Sequence, residues 1–176
     1  MRHNVNLSQE RMDNQGLVYS KEDFLVNGLY GLDDLCKEFI KPNMNVLELG
    51  SHNGVSTNLF AKYANHVTCV DMANTIGINN VVNTNTNVTF HNMLFSDFFK
   101  TNTSKFDLIY IDGDHTYESV LNDIENSLPL LTYNGVMCGH DCNEFTPGVE
   151  QAVKQCFPNS ELRIFSDSSW LVQLES

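Results

Sequence analysis

The sequence predicts an α/β fold, a doubly wound and mostly parallel sheet of seven strands with helices on both faces. Short apolar runs alternate along the chain with segments whose apolar residues recur at helical spacing. Two further runs near the end of the chain flank a polar turn, which predicts an antiparallel hairpin closing one edge of the sheet. No internal repeat or linker divides the chain. We therefore predict one domain spanning residues 1–176, with residues 1–18 as a flexible arm.

The individual elements follow from these patterns. Apolar runs predict parallel strands at 45–49, 67–71, 87–91, 106–112 and 136–139, and the hairpin strands at 161–165 and 170–174. Helical spacing predicts helices at 56–64, 72–82, 118–131 and 149–157. A helical pattern also begins at Ser20 and ends before Pro42. It predicts a plain packing helix, and two short helices broken near residues 28–31 are the alternative. Residues 95–99 are predicted to lie in a loop.

Composition excludes several classes of function. The net charge of −12 argues against nonspecific binding to nucleic acid or to anionic lipid, because both require clustered lysine and arginine. No apolar run approaches the ~18 residues of a membrane span. The five cysteines are scattered without a C-x-x-C pair, which is typical of a reduced, cytoplasmic protein. The charge does not exclude a small cationic or neutral substrate; we expect a small-molecule acceptor, no nucleic-acid or membrane partner, and a homo-oligomer as an open alternative.

The first predicted strand leads into a glycine turn and a helix, in the stretch V-L-E-L-G-S-H-N-G-V-S-T from residue 46 to residue 57. Glycines at such a turn permit positive φ and close approach to the backbone. Acidic residues lie at the ends of four predicted strands: Glu48, Asp71, Asp112 and Asp141. In doubly wound sheets, ligands bind outside the carboxyl ends of the strands, where the winding reverses. An ordinary βα loop is the alternative interpretation of the turn.

Asp71 follows Gly50 at the distance at which a βαβ unit presents a carboxylate to a ribose diol, although a helix-capping aspartate has the same appearance. Two ligand classes suit this arrangement: dinucleotides and S-adenosylmethionine. A dinucleotide site normally has three glycines, because a pyrophosphate must reach the helix N-terminus. Here Glu48 would repel a pyrophosphate, whereas a sulfonium ligand with an ammonium group is cationic. The charges favour S-adenosylmethionine.

The sequence resembles the class I S-adenosylmethionine-dependent methyltransferases. It is most similar to the small-molecule branch that contains cephalosporin-hydroxylase-like and macrolide O-methyltransferase proteins, and more distantly to catechol O-methyltransferase. The resemblance runs from about residue 25 to the end, and its motifs are 46–57, 70–71, 106–118, 128–141 and 147–149. It implies a Rossmann-like methyltransferase fold and O-methylation of a small molecule or sugar. An accessory S-adenosylmethionine-binding module without activity, or an NAD- or nucleotide-binding Rossmann protein, is the alternative.

The resemblance also implies roles for individual residues. The glycine turn would hold the methionine part of the cofactor, Asp71 the ribose and Met72 the adenine face. Ser96 and Asp97 would meet the polar edge of the adenine, and Asp112 would lie between cofactor and acceptor. The complete set of cofactor-binding residues predicted in this way is Glu48, Gly50, Ser51, His52, Gly54, Ser56, Asp71, Met72, Ser96, Asp97 and Asp112.

Relatives of this kind also hold a divalent cation on acids after the fourth and fifth strands. The matching residues are Asp112, His140 and Asp141, a set suited to Mg²⁺ or a softer divalent metal. Cys142 departs from the catechol-type pattern, which has an asparagine ligand there. Asp112, His115 and His140 are the predicted catalytic residues, since imidazole titrates near neutral pH and can act as a base. Capping of the Asp112 turn is the alternative role of His115.

Overall fold

The computed structural model describes residues 10–12, 18–20 and 30–174, and its elements there form one alternating α/β series. The strands are β1 (Glu10–Met12), β2 (Val18–Ser20), β3 (Asn45–Leu49), β4 (His66–Asp71), β5 (Val88–Asn92), β6 (Phe106–Ile111), β7 (Leu131–Gly139), β8 (Leu162–Ile164) and β9 (Trp170–Gln173). The helices are α1 (Tyr30–Phe39), α2 (Val55–Phe60), α3 (Ile76–Thr84), α4 (Phe95–Thr101), α5 (Tyr117–Ser127) and α6 (Pro147–Cys156). A 3₁₀ turn at Leu128–Leu130 follows α5.

Seven strands form the main sheet, in the order β5-β4-β3-β6-β7-β9-β8. Strands β3 to β7 pair in parallel, and β9 pairs antiparallel with both β7 and β8. The predicted fold class and the hairpin edge are confirmed. The chain winds outward from β3 through β4 to β5, then returns to place β6 on the other side of β3. The reversal therefore lies between β3 and β6, where such sheets bind ligands.

The core has two layers, one on each face of the sheet. Val46 packs with α1, α2 and α3, whereas its neighbour Leu47 packs with α4, α5 and α6. Leu108 and Ile109 of β6 divide between the two faces in the same way. Because both faces are covered, the central strands need apolar side chains at successive positions, and this explains their unbroken apolar runs.

Several predicted bounds were wrong: the helix predicted at 56–64 ends at Phe60, and the one predicted at 72–82 begins at Ile76. Three further predictions also differ from the structure. Residues 95–99 belong to helix α4, because Phe98 is buried against the sheet and tertiary packing, rather than intrinsic propensity, decides a helix this short. The helix predicted at 118–131 ends at Ser127, since Pro129 has no backbone N–H to continue the helical hydrogen bonds and the chain continues as a 3₁₀ turn. Strand β7 begins at Leu131, with Asn134 at φ 60° inside it.

At its N-terminal side the described chain contains the antiparallel pair β1 and β2, which nothing in the pattern of residues 1–18 indicates. The predicted helical residues before Tyr30 lie outside the described residues. Helix α1 is capped from the other end of the chain: the Leu32 N–H donates to Asp167 of the β8–β9 turn at 2.8 Å. None of the described helices is long and apolar enough to cross a membrane.

Candidate functional site

The glycine turn after β3 joins the carboxyl ends of three strands. Gly50 has φ 99° and Gly54 has φ 74°, as a turn of this kind requires. The Gly50 N–H donates to the Val70 carbonyl of β4 at 2.9 Å, and a Cβ on Gly50 would lie 2.0 Å from the Asp112 carbonyl oxygen. A Cβ on Gly54 would lie 3.0 Å from Ile78 of α3. At both positions, other residues of the protein come too close to leave room for a side chain, so glycine is required there.

Glu48 is completely buried and connects β3 to the start of α2. One carboxylate oxygen accepts a hydrogen bond from the Ser56 hydroxyl, and the other accepts one from the Thr57 hydroxyl at 2.5 Å. Burial raises the pKa of Glu48 to about 8, opposed by these two hydrogen bonds and supported by the nearby charges of Asp112 and Asp71. The hydrogen-bonding groups of Glu48 and Ser56 are therefore paired with each other. Thr57 is a second partner of Glu48 that was not predicted from the sequence.

Asp71 organises the turn from the end of β4. Its two carboxylate oxygens accept the N–H groups of His52 and Ala73, both at 2.7 Å. The Asn92 side chain, at the end of β5, donates to the carbonyls of Asp71 and Met72 at 3.0 and 2.9 Å. Met72 is 72% exposed beside them. Asn92 was missed from the sequence, although its signal is a polar residue directly after the strand predicted at 87–91.

The other predicted cofactor residues have different surroundings. Ser51 is buried, whereas His52 is exposed and has φ 38°. Ser96 and Asp97 lie in the first turn of α4, where Asp97 pairs with Lys100 at 2.8 Å and Ser96 faces a groove that Asn122 of α5 also lines. The contacts described for these two residues are thus with α4 and α5, and their role at an adenine stays a prediction.

Two carboxylates and an imidazole meet beyond β6 and β7. The Nε2 atom of His115 lies 2.9 Å from Oδ2 of Asp141 and 3.6 Å from Oδ1 of Asp112. Each of the three residues offers one ligand atom, and these atoms lie within 4.8 Å of one another. His140 contacts Asp141 through Nδ1 at 3.3 Å. The structure thus brings His115, rather than the predicted His140, together with both carboxylates.

The charges of this cluster balance one another. Hydrogen bonds to Asp112 and Asp141 raise the pKa of His115 to about 10. Burial opposes protonation of His140, but the hydrogen bond to Asp141 and the charge of Asp112 still raise its pKa to about 9. Burial would raise the pKa of Asp141, yet the two histidines hold it well below its usual range. Asp141 also has φ 60°, a left-handed conformation that aspartate tolerates better than most residues.

The loop after Asp141 cannot supply the asparagine ligand of the catechol-type pattern. Cys142 is buried in the core, and its N–H donates to the Ser168 carbonyl at 3.0 Å. The Asn143 side chain accepts the Phe145 N–H at 2.9 Å and is thereby engaged in the local turn. His115 is the residue that completes a three-atom set.

Comparison with known proteins gives a family and a fold. The family model described as "Methyltransferase domain" matches residues 47–142. This range includes the glycine turn, Asp71 and the acidic cluster, by which we mean Asp112, His115, His140 and Asp141. The comparison with curated proteins found no match.

Among solved structures, the chain is similar to SMU.776 in complex with SAH (16% identity, TM-score 0.66, covering 84% of this chain and 49% of that one). It is also similar to CalS11, a TDP-rhamnose 3'-O-methyltransferase of calicheamicin biosynthesis (13% identity, TM-score 0.66, covering 86% and 80%). A third is the N-methyltransferase NodS from Bradyrhizobium japonicum WM9 (14% identity, TM-score 0.62, covering 84% and 94%). The chain spans about half the length of the first two structures matched, 48% and 49%. At these identities the likeness establishes a common fold.

Proposed function

The chain belongs to the methyltransferase domain family, and from this premise we propose that it transfers a methyl group from S-adenosylmethionine to an oxygen of a small-molecule acceptor. One observation carries the proposal: Asp71 and Asp112 border the same glycine turn, at the point where the sheet reverses its winding. Glu48, which was predicted to contact the cofactor, is instead buried and bonded to Ser56 and Thr57. SMU.776, which shares the fold, was determined with SAH, and this supports the choice of cofactor. CalS11 is an O-methyltransferase and NodS an N-methyltransferase, so the choice of oxygen rests on the resemblance of the sequence.

The residues present fit such a cofactor. Asp71 is partly exposed and held by two backbone N–H groups, which fixes its carboxylate to accept further hydrogen bonds from a ribose diol. Met72 offers an exposed thioether side chain next to it, suited to an adenine face. S-adenosylmethionine supplies the activated methyl group, so the protein's own contribution is to align the acceptor and to control one proton.

The residues beyond β6 and β7 are the candidates for controlling the proton of the acceptor hydroxyl. With pKa values raised to about 10 and about 9, His115 and His140 are both charged at neutral pH, so the base role predicted for them requires that they first lose a proton. Asp112 is the residue of this cluster whose backbone carbonyl borders the glycine turn, and we propose that its carboxylate orients the acceptor hydroxyl. His115 then holds Asp112 and Asp141 at fixed positions.

A divalent cation also fits this cluster, with Asp112, His115 and Asp141 as the proposed ligands. Such an ion would lower the pKa of an acceptor hydroxyl, and one nitrogen among the ligands favours Mn²⁺ or a similar ion over Mg²⁺. Calorimetric titration with Mn²⁺ tests this. The expected result is measurable binding that His115→Ala weakens about tenfold or more and that His140→Ala changes less. Equal effects of the two substitutions, or no binding to the unaltered protein, would refute this ligand set.

Cofactor binding is tested by calorimetry with S-adenosylhomocysteine and, for comparison, NAD. We expect binding of the first only, and we expect Asp71→Ala to weaken it by about 1–3 kcal/mol, the cost of leaving hydrogen-bonding groups unpaired. Asp34→Ala, which removes an exposed acid from α1, is the matched control and should bind like the unaltered protein. Preference for NAD would favour the dinucleotide alternative. Cofactor binding without product release from any acceptor would favour the accessory module.

A further inference from the structure

Exposed apolar side chains gather at the end of the sheet that carries the proposed site. Met72 follows β4, Ile76 begins α3, Leu94 follows β5 and Phe145 follows β7, and each of them is more than half exposed. The first three lie on the side of Asp71. Phe145 lies on the other side, in the loop that follows Asp141, and is 85% exposed. Exposed apolar side chains at the carboxyl ends of the strands, where such sheets bind ligands, are candidates for contact with a ligand.

The loop that carries Phe145 is well ordered by its own hydrogen bonds. The Asn143 N–H donates to the Asp141 carbonyl at 3.0 Å, the Thr146 N–H donates to the Asn143 carbonyl at 3.2 Å, and the Asn143 side chain accepts the Phe145 N–H. On the inner side, Cys142 is anchored in the core. Phe145 therefore projects from a fixed backbone, and no ordering of the loop has to accompany ligand binding.

The same loop lies directly against the segment that carries His115. A Cβ on Gly148, at the start of α6, would lie 2.6 Å from the Tyr117 nitrogen and 3.3 Å from the His115 carbonyl oxygen. The β6–α5 and β7–α6 connections thus form one continuous wall, which contains the acidic cluster at one point and Phe145 at another. An acceptor that presents a hydroxyl to Asp112 would have its remaining atoms next to this wall.

The charge of the wall restricts the acceptor. Residues 106–153 contain acidic residues throughout and no lysine or arginine. His115 and His140 contact the carboxylates of Asp112 and Asp141. Away from that cluster, an anionic group of the acceptor would meet exposed acids such as Glu144 and no lysine or arginine along this wall.

We infer that Phe145 is a specificity-determining residue, and that the acceptor is an uncharged or cationic compound whose hydroxyl is carried beside a flat ring that stacks on the Phe145 side chain. This inference rests on the proposed function and narrows it to one class of acceptor.

Three phenols that differ in charge provide the test: 4-hydroxybenzyl alcohol, tyramine and 4-hydroxybenzoate. Their affinities for the protein saturated with S-adenosylhomocysteine are measured by saturation-transfer NMR titration. We expect the neutral and cationic phenols to bind and the anionic one to bind more weakly or not at all. Phe145→Ala should weaken binding roughly two- to tenfold, as loss of an aromatic contact does, while Phe145→Tyr should keep it.

The matched control is Tyr133→Ala. Tyr133 is 81% exposed but lies in the first half of β7, away from the carboxyl ends of the strands, so its loss should leave phenol binding unchanged. Failure of all three phenols to bind, preference for 4-hydroxybenzoate, or equal affinities of Phe145→Ala and the unaltered protein would overturn the inference. Binding of S-adenosylhomocysteine by Phe145→Ala is recorded separately. If the unaltered protein did not bind S-adenosylhomocysteine, the proposed function itself would be contradicted. If it bound S-adenosylhomocysteine but none of the phenols, only the present inference would be contradicted.

Discussion

Glu48 makes the stability of the protein depend on pH in a direction opposite to that of a carboxylate whose pKa is lowered by an ion pair. Its pKa is raised to about 8 in the folded chain, against an ordinary value of 4.5, chiefly because the group is completely buried. A raised pKa stabilises the fold fully below the ordinary value, and this stabilisation is lost as the pH rises through the folded value. We therefore expect the free energy of unfolding contributed by Glu48 to fall between pH 4.5 and about 8.

Glu48→Gln isolates this contribution, because glutamine has the shape of the protonated glutamate and cannot ionise. Its amide can accept from one hydroxyl of Ser56 and Thr57 and donate to the other, so the connection between β3 and α2 is kept. Each pH unit in this window changes the free energy of unfolding by about 1.4 kcal/mol. Between about pH 5.5 and pH 8, the stability of Glu48→Gln relative to that of the unaltered protein should therefore rise by on the order of 3 kcal/mol.

The measurement is urea denaturation followed by circular dichroism, without cofactor, at a series of pH values. Glu125→Gln removes an exposed acid from α5 and serves as the control, since its unfolding curve should shift in parallel with that of the unaltered protein. The charges of His115 and His140 affect all three proteins alike, so the difference between curves reports Glu48. If the difference in free energy of unfolding between Glu48→Gln and the unaltered protein were the same at every pH, the inference that Glu48 is buried in its protonated form would be wrong.

Three substitutions test other contacts. Asp167→Ala removes the cap of α1 and should lower the free energy of unfolding by about 0.5–2 kcal/mol in urea denaturation. Gly50→Ala places a Cβ against the Asp112 carbonyl at φ 99° and should cost more than about 1 kcal/mol, seen as a lower melting temperature. Asn92→Ala removes two hydrogen bonds behind Met72 and should weaken S-adenosylhomocysteine binding by about 1 kcal/mol in calorimetry. An effect of Asn92→Ala on stability alone would assign Asn92 to the fold only.

The parts of the fold that the sequence predicts are those determined by local pattern. Strand β3 was placed at its observed bounds because apolar residues at successive positions leave few alternatives for a run between two turns. Asp71 was located by its spacing from Gly50, since a βαβ unit has a nearly fixed length. Helix α4 was missed because its stability comes from Phe98, whose burial depends on strands far away in the chain.

The details of the site depend on distances that spacing alone does not give. His115 and His140 both follow strand ends, and the sequence could not tell which would face both carboxylates. The turn after β6 places the Nε2 of His115 between Asp112 and Asp141, whereas His140 reaches Asp141 only from one side. Likewise, the sequence predicts that Glu48 lies near the turn. It does not predict that the hydroxyls of Ser56 and Thr57 occupy both carboxylate oxygens and so allow Glu48 to be buried.

The contact between Leu32 and Asp167 spans 135 positions of the chain, and this has a consequence for synthesis. A nascent chain emerges from the ribosome with the residues of α1 exposed long before the β8–β9 turn has been translated. During that interval the Leu32 N–H lacks its acceptor, so this contact forms only after the β8–β9 turn has left the ribosome. A ribosome stalled shortly before codon 167 should therefore display a protein whose early helix still exchanges its amide protons rapidly.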